Sequence, residues 1–536
     1  MIENWNDKNY ITEKSLNMPV KILDSEFVSG IDEFMIKKEP CLSFHNDVSA
    51  KFEKKGAWIL FDFGKEMCGS IRLITRDVAS SNANFRITFG ESVSEACSSI
   101  GEKNATNDHS PRDFTSNIAT LSDLTFGLTG FRFVRLELLD ETQVLMQNAF
   151  AVNILPKFDR EAVIKTSDDK LNEIIETAAY TLKLNFQNGY IWDGIKRDRL
   201  VWCGDLHQEI VTSLYLFGDN CNIPNSLDFL KKSTNANEWI NAIPTYSAWW
   251  VINICDYCSY LGDKAYFDLN REYAVDILER IDGCIDANGN INFVENTVMP
   301  FFLDWPSMDF PDAVIGTAMI FMLAADKYLN FEKNEHCKSI KAKLAGYLDK
   351  ECEFKQTRAF QILAGRNPQG ESEFLEKRGA AGFSTFMTYY ILTADAMSGG
   401  KKMIDMIKDY YGGMLSRGAT TFWEDFDLDW LEGSSRIDCL PEPGQRDIHG
   451  DYGDYCYKGF RHSLCHGWSS GVIAFIIENI FGIRCENGCK RIIIKPNAGN
   501  LDFNIKLPLP QGWLDVTYKN GELAIEKPDE VEVITD

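Results

Sequence analysis

The chain has 536 residues, of which 45% are hydrophobic and 25% charged, a composition typical of a globular protein with about two to four domains. Its formal net charge of −24 argues against binding to nucleic acids or anionic membranes, because phosphate recognition requires basic surfaces. No apolar run reaches the roughly 18–20 residues of a membrane span, and the start, MIENWNDKNYITEK, lacks the basic end and apolar stretch of a secretory signal.

Residues 1–162 are predicted to form an N-terminal β-sandwich domain. Apolar and polar residues alternate in SIRLIT (70–75), FRITFGES (85–92) and VRLEL (134–138). This period of two places one face of each strand in a core and the other in water. Several such strands separated by Gly, Asn and Ser favour a sandwich.

Residues 163–484 change to a helical period. Apolar residues recur three or four positions apart, as at Ala274, Ile277 and Ile281. Asp205 is predicted to cap a helix, with Gln208 three residues later, before an apolar run. The length of this region accommodates about ten to twelve helices.

Residues 485–536 return to a β pattern. They are predicted to form a small C-terminal β domain, a β-sandwich element. In NIKLPL the apolar residues alternate, but Pro508 and Pro510 predict an edge strand because proline cannot donate to a sheet ladder. In WLDVTYKNGELAIE the pair Asn520-Gly521 stands between two alternating runs, which predicts a hairpin.

The fifteen cysteines are scattered along the chain, at a density far below that of a disulfide scaffold. We interpret them as reduced thiols of a cytoplasmic protein. Cys255 and Cys258 have the Cys-x-x-Cys spacing, but they lie in an apolar, helix-like run and no second ligand pair is nearby. A zinc or redox role is therefore disfavoured.

The stretch WDGIKRDRLVWCGD (192–205) combines charges of both signs with two tryptophans. Aromatic rings can cover the apolar faces of a sugar, and carboxylates and guanidinium groups can bind its hydroxyls. Cleavage of a glycosidic bond needs two carboxyl groups. Because nearby cations keep carboxylates ionised while an acid catalyst needs a raised pKa, one of Asp193, Asp198 and Asp205 should face away from the arginines. A structural ion-pair network at a helix start is the alternative.

A second cluster, ATTFWEDFDLDW (419–430), again places carboxylates beside tryptophans. Its aspartates resemble the first half of a calcium loop, but Trp430 stands at the sixth position, where glycine is required, and Arg436 stands where a glutamate ligand belongs. We therefore exclude calcium here. A solvated acidic loop remains the alternative to a sugar site.

A third stretch, RHSLCHGWSSG (461–471), contains His462 and His466 four residues apart. The glutamate of the zinc-protease signature is missing, because Ser463 follows the first histidine. A buried or sugar-binding histidine is favoured over a metal ligand. The segment FLDWPS adds one more carboxylate–tryptophan pair, Asp304 and Trp305.

Together these pieces resemble family 78 glycoside hydrolases, the α-L-rhamnosidases. The pattern Asp193-x-x-x-Arg197-Asp198-Arg199-x-x-Trp202-x-Gly204-Asp205 is similar to the first signature of that family, TTFWE to its later motif, and SLCHGWSSG to its histidine segment. The resemblance extends from about residue 55 to 520. It implies an (α/α)6 barrel between the β regions and an inverting mechanism without a metal or other cofactor.

The resemblance places Asp198 at the general acid and Glu424 at the general base. It implies substrate-binding roles for Asp193, Arg197, Trp202, Asp205, Trp249, Asp304, Trp305, Trp423 and His466. Two departures stand out: the acid is commonly a glutamate in this family, and Cys465 and Gly467 replace the usual Asn and Tyr beside the histidine.

We therefore expect a cytoplasmic, exo-acting enzyme that releases terminal α-L-rhamnose from oligosaccharides or glycosides. Its partner would be a carbohydrate substrate, and a homodimer is left open. The alternatives are an inverting (α/α)6 glycosidase for a different sugar and a non-catalytic sugar-binding or sensing protein. Two carboxylates facing each other across a pocket would favour an enzyme, whereas a carboxylate held in an ion pair would favour a binder.

Overall fold

The computed structural model describes residues 11–36, 39–44, 49–235, 237–293 and 297–535. Residues 1–10, which begin the stretch in which we predicted no secretory signal, lie outside these ranges. Among the described helices none is long and apolar enough to cross a membrane.

The N-terminal region is a large, mainly antiparallel sheet built from the alternating segments that the sequence indicates. Its order is β3-β4-β9-β5-β8-β6-β7, with β1 added to β9 and β2 to β5. Register shifts in β5 bend and twist the sheet around a core rich in phenylalanine. The elements are β1 (Thr12–Asn17), β2 (Lys21–Glu26), β3 (Val28–Ser29), β4 (Ala50–Phe52), β5 (Trp58–Val78), β6 (Asn82–Gly90), the one-turn α1 (Val93–Ala96), β7 (Asp113–Ala119), β8 (Ser122–Leu138) and β9 (Val144–Pro156).

The central region contains twelve helices within the described residues, and every second one belongs to an inner ring. Helices α3, α5, α7, α9, α11 and α13 each pack against the next, and α13 closes the ring on α3. This alternation of inner and outer helices is an (α/α)6 barrel. The helices are α2 (Asp169–Asn185), α3 (Leu206–Phe217), α4 (Asn222–Ser233), α5 (Pro244–Leu261), α6 (Lys264–Gly283), α7 (Pro311–Leu329), α8 (Glu335–Leu344), α9 (Lys355–Leu363), α10 (Ser372–Leu375), α11 (Thr388–Met397), α12 (Met403–Ser416) and α13 (Val472–Phe475).

The strands that follow the barrel form two small sheets, one of which also contains β10 from before the barrel. A separate two-stranded hairpin, β11–β12, precedes α3. One of the small sheets has the order β10-β15-β16-β17 and the other β13-β14-β18. The strands are β10 (Val163–Thr166), β11 (Phe186–Gln187), β12 (Tyr190–Ile191), β13 (Ile483–Glu486), β14 (Arg491–Ile494), β15 (Phe503–Leu509), β16 (Gly512–Lys519), β17 (Glu522–Glu526) and β18 (Glu532–Ile534). The fold class predicted from the sequence is confirmed; its domain boundaries stay predictions.

Two local predictions at the C-terminus had different outcomes. The Asn520-Gly521 hairpin is confirmed: Lys519 pairs with Glu522, and both turn residues have positive φ, 51° and 84°. The edge-strand prediction for NIKLPL is wrong, because β15 lies between β10 and β16. The prolines are tolerated since β10 pairs only as far as Lys506, before Pro508.

The predicted capping role of Asp205 is also wrong. Its backbone is helical (φ −63°, ψ −42°), and its side chain accepts no hydrogen bond from the first turn of α3. The carboxylate instead accepts a hydrogen bond from the hydroxyl of Tyr246, 3.2 Å away. Asp205 is thus directed into the barrel and leaves the start of α3 uncapped by a side chain.

Candidate active site

A small cavity of about 20 Å³ lies where loops leading into the inner helices meet. The loop before α7 contributes Asp304 and Trp305, the loop before α11 contributes Ser384, and the loop before α13 contributes Glu424. The remaining wall residues are Pro306, Phe386, Asp425, Tyr455, Tyr457 and Trp468. Carboxylates and aromatic rings therefore share one concave surface, as the sequence clusters suggest.

The loop before α3 is organised around the buried Asp193. One carboxylate oxygen accepts a hydrogen bond from the backbone N–H of Asp198 and the other from that of Leu200, both at 2.9 Å. Burial and then the charge of Asp198 raise the pKa of Asp193 to about 7. Asp193 and Asp205 are bound by backbone N–H groups and by Tyr246, respectively, whereas Asp198, which the resemblance places at the general acid, is the carboxylate of this motif that an arginine contacts. The bonds of Asp193 fix the position from which the next side chains project.

Arg197 connects the first two sequence clusters. Its Nη2 donates to both oxygens of Glu424, at 2.9 and 3.0 Å, and its Nη1 donates to Asp198 Oδ1 at 2.7 Å. Its Nε donates to the backbone carbonyl of Arg461 at 2.8 Å. Every nitrogen of this buried guanidinium is therefore used, which fixes the relative orientation of the two carboxylates.

Asp198 and Glu424 lie on either side of that guanidinium. Because its two terminal nitrogens are only about 2.3 Å apart, the nearest carboxylate oxygens lie within roughly 8 Å of each other. Glu424 lines the cavity and is 5% exposed, whereas Asp198 is outside the cavity wall and its side chain is 19% exposed. Burial raises the pKa of Glu424 even though Arg197 lowers it.

His466 stands among three carboxylates. Its Nε2 lies 3.7 Å from Asp193, 3.8 Å from Asp205 and 3.9 Å from Glu424. Burial, followed by the charge of Arg197, lowers its pKa well below the ordinary value, so the ring is neutral at neutral pH. Burial also raises the pKa of Asp205 well above its ordinary value. This part of the site therefore carries fewer charges than its residue types imply.

Asp304 and Trp305 join the cavity from the loop before α7. Asp304 accepts hydrogen bonds from the backbone N–H of Trp305 at 2.9 Å and from the hydroxyl of Ser384 at 2.5 Å. Burial raises the pKa of Asp304 to about 6. The ring of Trp305 packs 5.7 Å from that of Tyr455 at a shallow angle of 32°. These rings add an apolar surface to the cavity wall.

The structure does not bring every expected residue to the cavity wall. Trp249 is 2% exposed and packs against His207 and Tyr390 inside the barrel, and Trp423 is 1% exposed and packs against Phe426. Trp202 is half-buried and packs edge-on against Tyr246. The substrate-binding roles of these three tryptophans stay predictions.

A buried cluster beside the site belongs to both the sheet and the barrel. Glu91, Glu95 and His449 have the types and spacing of a metal site. However, the ammonium group of Lys196 lies 2.9 Å from Glu91 and 3.1 Å from Glu95, and it also donates to the carbonyl of His462. The cation that these carboxylates require is therefore supplied by the chain itself.

Sequence reasoning missed several residues at the site. Tyr455 and Tyr457 line the cavity, and their segment DYGDYCYKGF mixes acidic and aromatic residues as the recognised clusters do. The sequence places Asp425 only in an acidic cluster, yet it lines the cavity wall. Burial, followed by the charge of Asp304, raises the pKa of Asp425 to about 7. His109, from the N-terminal sheet region, lies 3.2 Å from Asp198, and nothing in its sequence context indicates this.

Comparison with known proteins supports the resemblance. The family model of the bacterial alpha-L-rhamnosidase six-hairpin glycosidase domain matches residues 159–357. An alpha-L-rhamnosidase from Alteromonas sp. (strain LOR) is 27% identical over 163 residues, which cover 30% of this chain and 17% of that protein. The resemblance to the α-L-rhamnosidases is thereby confirmed, although the chain spans less than a fifth of this curated relative.

Solved structures agree on the fold. The family 78 rhamnosidase of Bacillus sp. GL1 superposes with a TM-score of 0.70 at 18% identity, covering 92% of this chain and 54% of that one. A rhamnosidase from Klebsiella oxytoca with rhamnose bound gives 0.67 at 18% identity, covering 88% of this chain and 97% of that one. A Streptomyces avermitilis α-L-rhamnosidase complexed with L-rhamnose gives 0.67 at 13% identity, covering 98% and 50%.

Proposed function

We propose that this protein is an exo-acting, inverting α-L-rhamnosidase, with Asp198 as the general acid and Glu424 as the general base. The observation that carries the proposal is the bridging of these two carboxylates by Arg197 beside a small aromatic cavity. The bridge limits the separation of the nearest oxygens to roughly 8 Å, which admits the ~6.5–9.5 Å of inverting enzymes and equally the ~5–5.5 Å of retaining ones, so the resemblance and not this distance supports inversion. The matching family model and the bound sugar in the Klebsiella relative support the choice of rhamnose.

The two carboxylates are suited to different steps. Glu424 Oε1 accepts from Arg197 and faces His466, and it retains a lone pair that can take a proton from water. Asp198 is more exposed, as expected for a group that protonates a leaving oxygen directed towards solvent. Water attacks the anomeric carbon while the leaving oxygen takes the proton of Asp198, and Glu424 accepts the proton of the water.

The first test is a screen of aryl glycosides that begins with the α-L-rhamnoside. We expect hydrolysis of this substrate well above that of the α-L-arabinoside and β-D-glucoside controls. Proton NMR of the first product should show β-rhamnose, the inverted anomer. Faster hydrolysis of another sugar would replace rhamnose in the proposal, and an α product would contradict inversion.

The second test separates the two catalytic roles. Asp198→Asn should slow an unactivated rhamnoside by about 10²–10⁴-fold but an activated aryl rhamnoside far less, because a good leaving group needs little protonation. Glu424→Gln should slow both substrates. The control is Asp529→Asn, a substitution in an exposed C-terminal turn, which should change neither rate. Equal losses for both substrates in Asp198→Asn would leave Asp198 with a binding role only.

The ion pairs of Arg197 with both Asp198 and Glu424 favour the sugar-binding alternative. Both oxygens of Glu424 accept hydrogen bonds from Arg197, and Oε2 also accepts one from the backbone N–H of Ser463 at 2.9 Å. A carboxylate held in this way can orient a hydroxyl without taking a proton. Calorimetry with L-rhamnose on a protein that hydrolyses no glycoside in the screen would establish that alternative.

The proposal needs neither a metal nor another cofactor, and activity should survive dialysis against a chelator. No disulfide joins any of the fifteen cysteines, all of which lie within the described residues. Thiols that remain unpaired are typical of a reducing compartment, so we propose a cytoplasmic location, which fractionation of the native cells would test. Sedimentation of the purified protein would decide between a monomer and a homodimer.

A further inference from the structure

The N-terminal sheet region contributes a side chain to the proposed general acid. His109 belongs to the loop that leads into β7, and its Nε2 lies 3.2 Å from Asp198 Oδ1. Arg197 Nη1 donates to the same oxygen at 2.7 Å. Within the described part of the chain, Oδ2 of Asp198 accepts no hydrogen bond. Arg197 and His109 therefore both contact Oδ1 and leave Oδ2 open.

The loop that carries His109 is held on both sides. Asn107 Oδ1 accepts from the backbone N–H groups of Arg112 and Asp113, at 2.9 and 3.1 Å, which closes the loop at its base. Asp108 forms an ion pair with the guanidinium of Arg461. Hydrogen bonds from Thr106 and then Arg461 lower the pKa of Asp108, so this pair is charged at neutral pH.

The same Arg461 also supports the guanidinium of Arg197. Its backbone carbonyl accepts from Arg197 Nε at 2.8 Å, while its side chain holds Asp108. The residue that orients Arg197 is therefore the residue that holds the His109 loop in place. The position of His109 relative to Asp198 is fixed through the barrel itself and not by the sheet region alone.

We propose that His109 is a positioning residue for Asp198: by donating to Oδ1 together with Arg197, it directs Oδ2 and its proton towards the leaving oxygen. This inference rests on the proposed function. When the proton leaves, the negative charge that develops on Asp198 is shared with two donors already in place, so no reorganisation is needed. The shorter aspartate at this position depends on such placement more than a glutamate would, since it has less reach.

The test is His109→Asn. Residue 109 has φ +65°, a left-handed conformation that asparagine adopts readily, so the loop should keep its shape. The shorter asparagine side chain should no longer reach Asp198. We expect kcat/KM on an unactivated rhamnoside to fall roughly tenfold or more, the size expected when a hydrogen bond to a charged group is lost. On an activated aryl rhamnoside the loss should stay below about threefold, because that substrate needs little acid catalysis.

A double-mutant cycle shows whether His109 acts through Asp198. In the Asp198→Asn background, His109→Asn should cause no further loss on the unactivated substrate, because the proton to be positioned is gone. Additive losses in the two backgrounds would overturn the proposal. So would equal losses on both substrates in the single variant, since a general disturbance of the loop does not depend on the leaving group.

The matched control is His336→Asn. His336 Nδ1 lies 3.0 Å from Asp282 in a comparably exposed pair that the proposed site does not contain, and this variant should keep both activities. If His109→Asn lowers the melting temperature, His109→Gln is taken through the same cycle. A wild-type protein without rhamnosidase activity would overturn the proposed function and this inference together. An active wild type with a leaving-group effect in Asp198→Asn but none in His109→Asn would overturn this inference alone.

Discussion

Arg197 occupies a position at which lysine would not be equivalent. Its planar guanidinium donates to Asp198 with one terminal nitrogen and to Glu424 with the other, and its Nε donates to the backbone carbonyl of Arg461. A lysine ammonium could neutralise one carboxylate but could not hold two at a fixed separation. The spacing between the proposed acid and base is therefore set by the size of one side chain.

Asp198→Glu tests whether the site is built for the shorter acid. The backbone N–H of Asp198 is tied to Asp193 at 2.9 Å, so the main chain cannot retreat to accommodate an extra methylene. The longer side chain adds roughly 1.5 Å of reach and should enter the space of the substrate. We expect a lower kcat/KM on one rhamnoside. A gain of about tenfold, equivalent to ~1.4 kcal/mol in the barrier, would instead identify the native protein as a weakened catalyst.

Asp425→Asn should change how stability depends on pH. The pKa of Asp425 is raised from its ordinary value to about 7, so the folded protein keeps this proton to higher pH than the unfolded chain does. The resulting stabilisation is complete below about pH 4 and is lost as the pH rises to about 7. Asparagine does not titrate and can still accept from the backbone N–H of Phe426. Relative to the wild type, the variant should therefore gain stability across this range.

The gain should be on the order of a few kcal/mol in the free energy of unfolding, measured by urea denaturation at pH 4.5, 6 and 7.5. Asp529→Asn, in an exposed turn, serves as the control and should run parallel to the wild type. If the free energies of unfolding of Asp425→Asn and the wild type differ by the same amount at all three pH values, Asp425 does not titrate in this range.

At the scale of elements, the loop between β12 and α3 depends on one glycine. A Cβ on Gly194 would lie 2.2 Å from the backbone carbonyl oxygen of Arg197, a contact that only a shift of the main chain can relieve. Gly194→Ala should therefore displace Arg197 and lower both stability and the proposed rhamnosidase activity. Gly283→Ala, at the end of α6, meets no atom within 4 Å and should be neutral or slightly stabilising. Comparable melting temperatures and activities for the two variants would contradict this reasoning.

The elements themselves were largely predictable, because periodicity reports burial directly. Alternation in FRITFGES and the spacing of Ala274, Ile277 and Ile281 predicted β6 and α6, and the Asn520-Gly521 turn followed from local conformation alone. The predictions that failed depended on distant partners. Asp205 had the sequence of a cap, but Tyr246 binds its carboxylate; β15 had the prolines of an edge strand, but β10 pairs only with its first residues.

The candidate site shows the same division. Sequence clusters predicted which carboxylates and tryptophans form a sugar site. The structure gathers Asp304, Trp305, Glu424 and His466 around Arg197 or the cavity, but Trp202, Trp249 and Trp423 are not part of the cavity wall. The sequence could not indicate His109, because a lone histidine in a polar loop carries no periodic or motif signal. Contacts between residues far apart in the chain are decided by the packing of the sheet against the barrel, which no short window of sequence encodes.

At the scale of the whole molecule, the sheet region and the barrel share buried charges. Lys196, from the loop before α3, is 7% exposed and contacts Glu91 and Glu95 of the sheet region. Glu91 also accepts from the backbone N–H of Leu464 at 2.6 Å, in the segment before α13. The N-terminal region is therefore packed into the side of the proposed active site, and its loss would expose the residues that hold Arg197.

Lys196→Met tests how much this shared cluster contributes to stability. Removing the ammonium leaves buried Glu91 without its cation and Glu95 with only the guanidinium of Arg112, 3.7 Å away, and breaking a buried pair typically costs about 3–5 kcal/mol in the free energy of unfolding. The cost should shrink as the pH is lowered, because the pKa of Glu91 is already raised to about 7 by burial and would rise further without Lys196, so protonation relieves the charge. Urea denaturation at pH 8 and pH 5.5 measures both effects. Lys338→Met, which removes an exposed partner of Glu335, should leave the free energy of unfolding nearly unchanged at either pH. A loss below about 1 kcal/mol for Lys196→Met at pH 8 would show that the sheet region and the barrel are held together by their apolar contacts and not by this buried cluster.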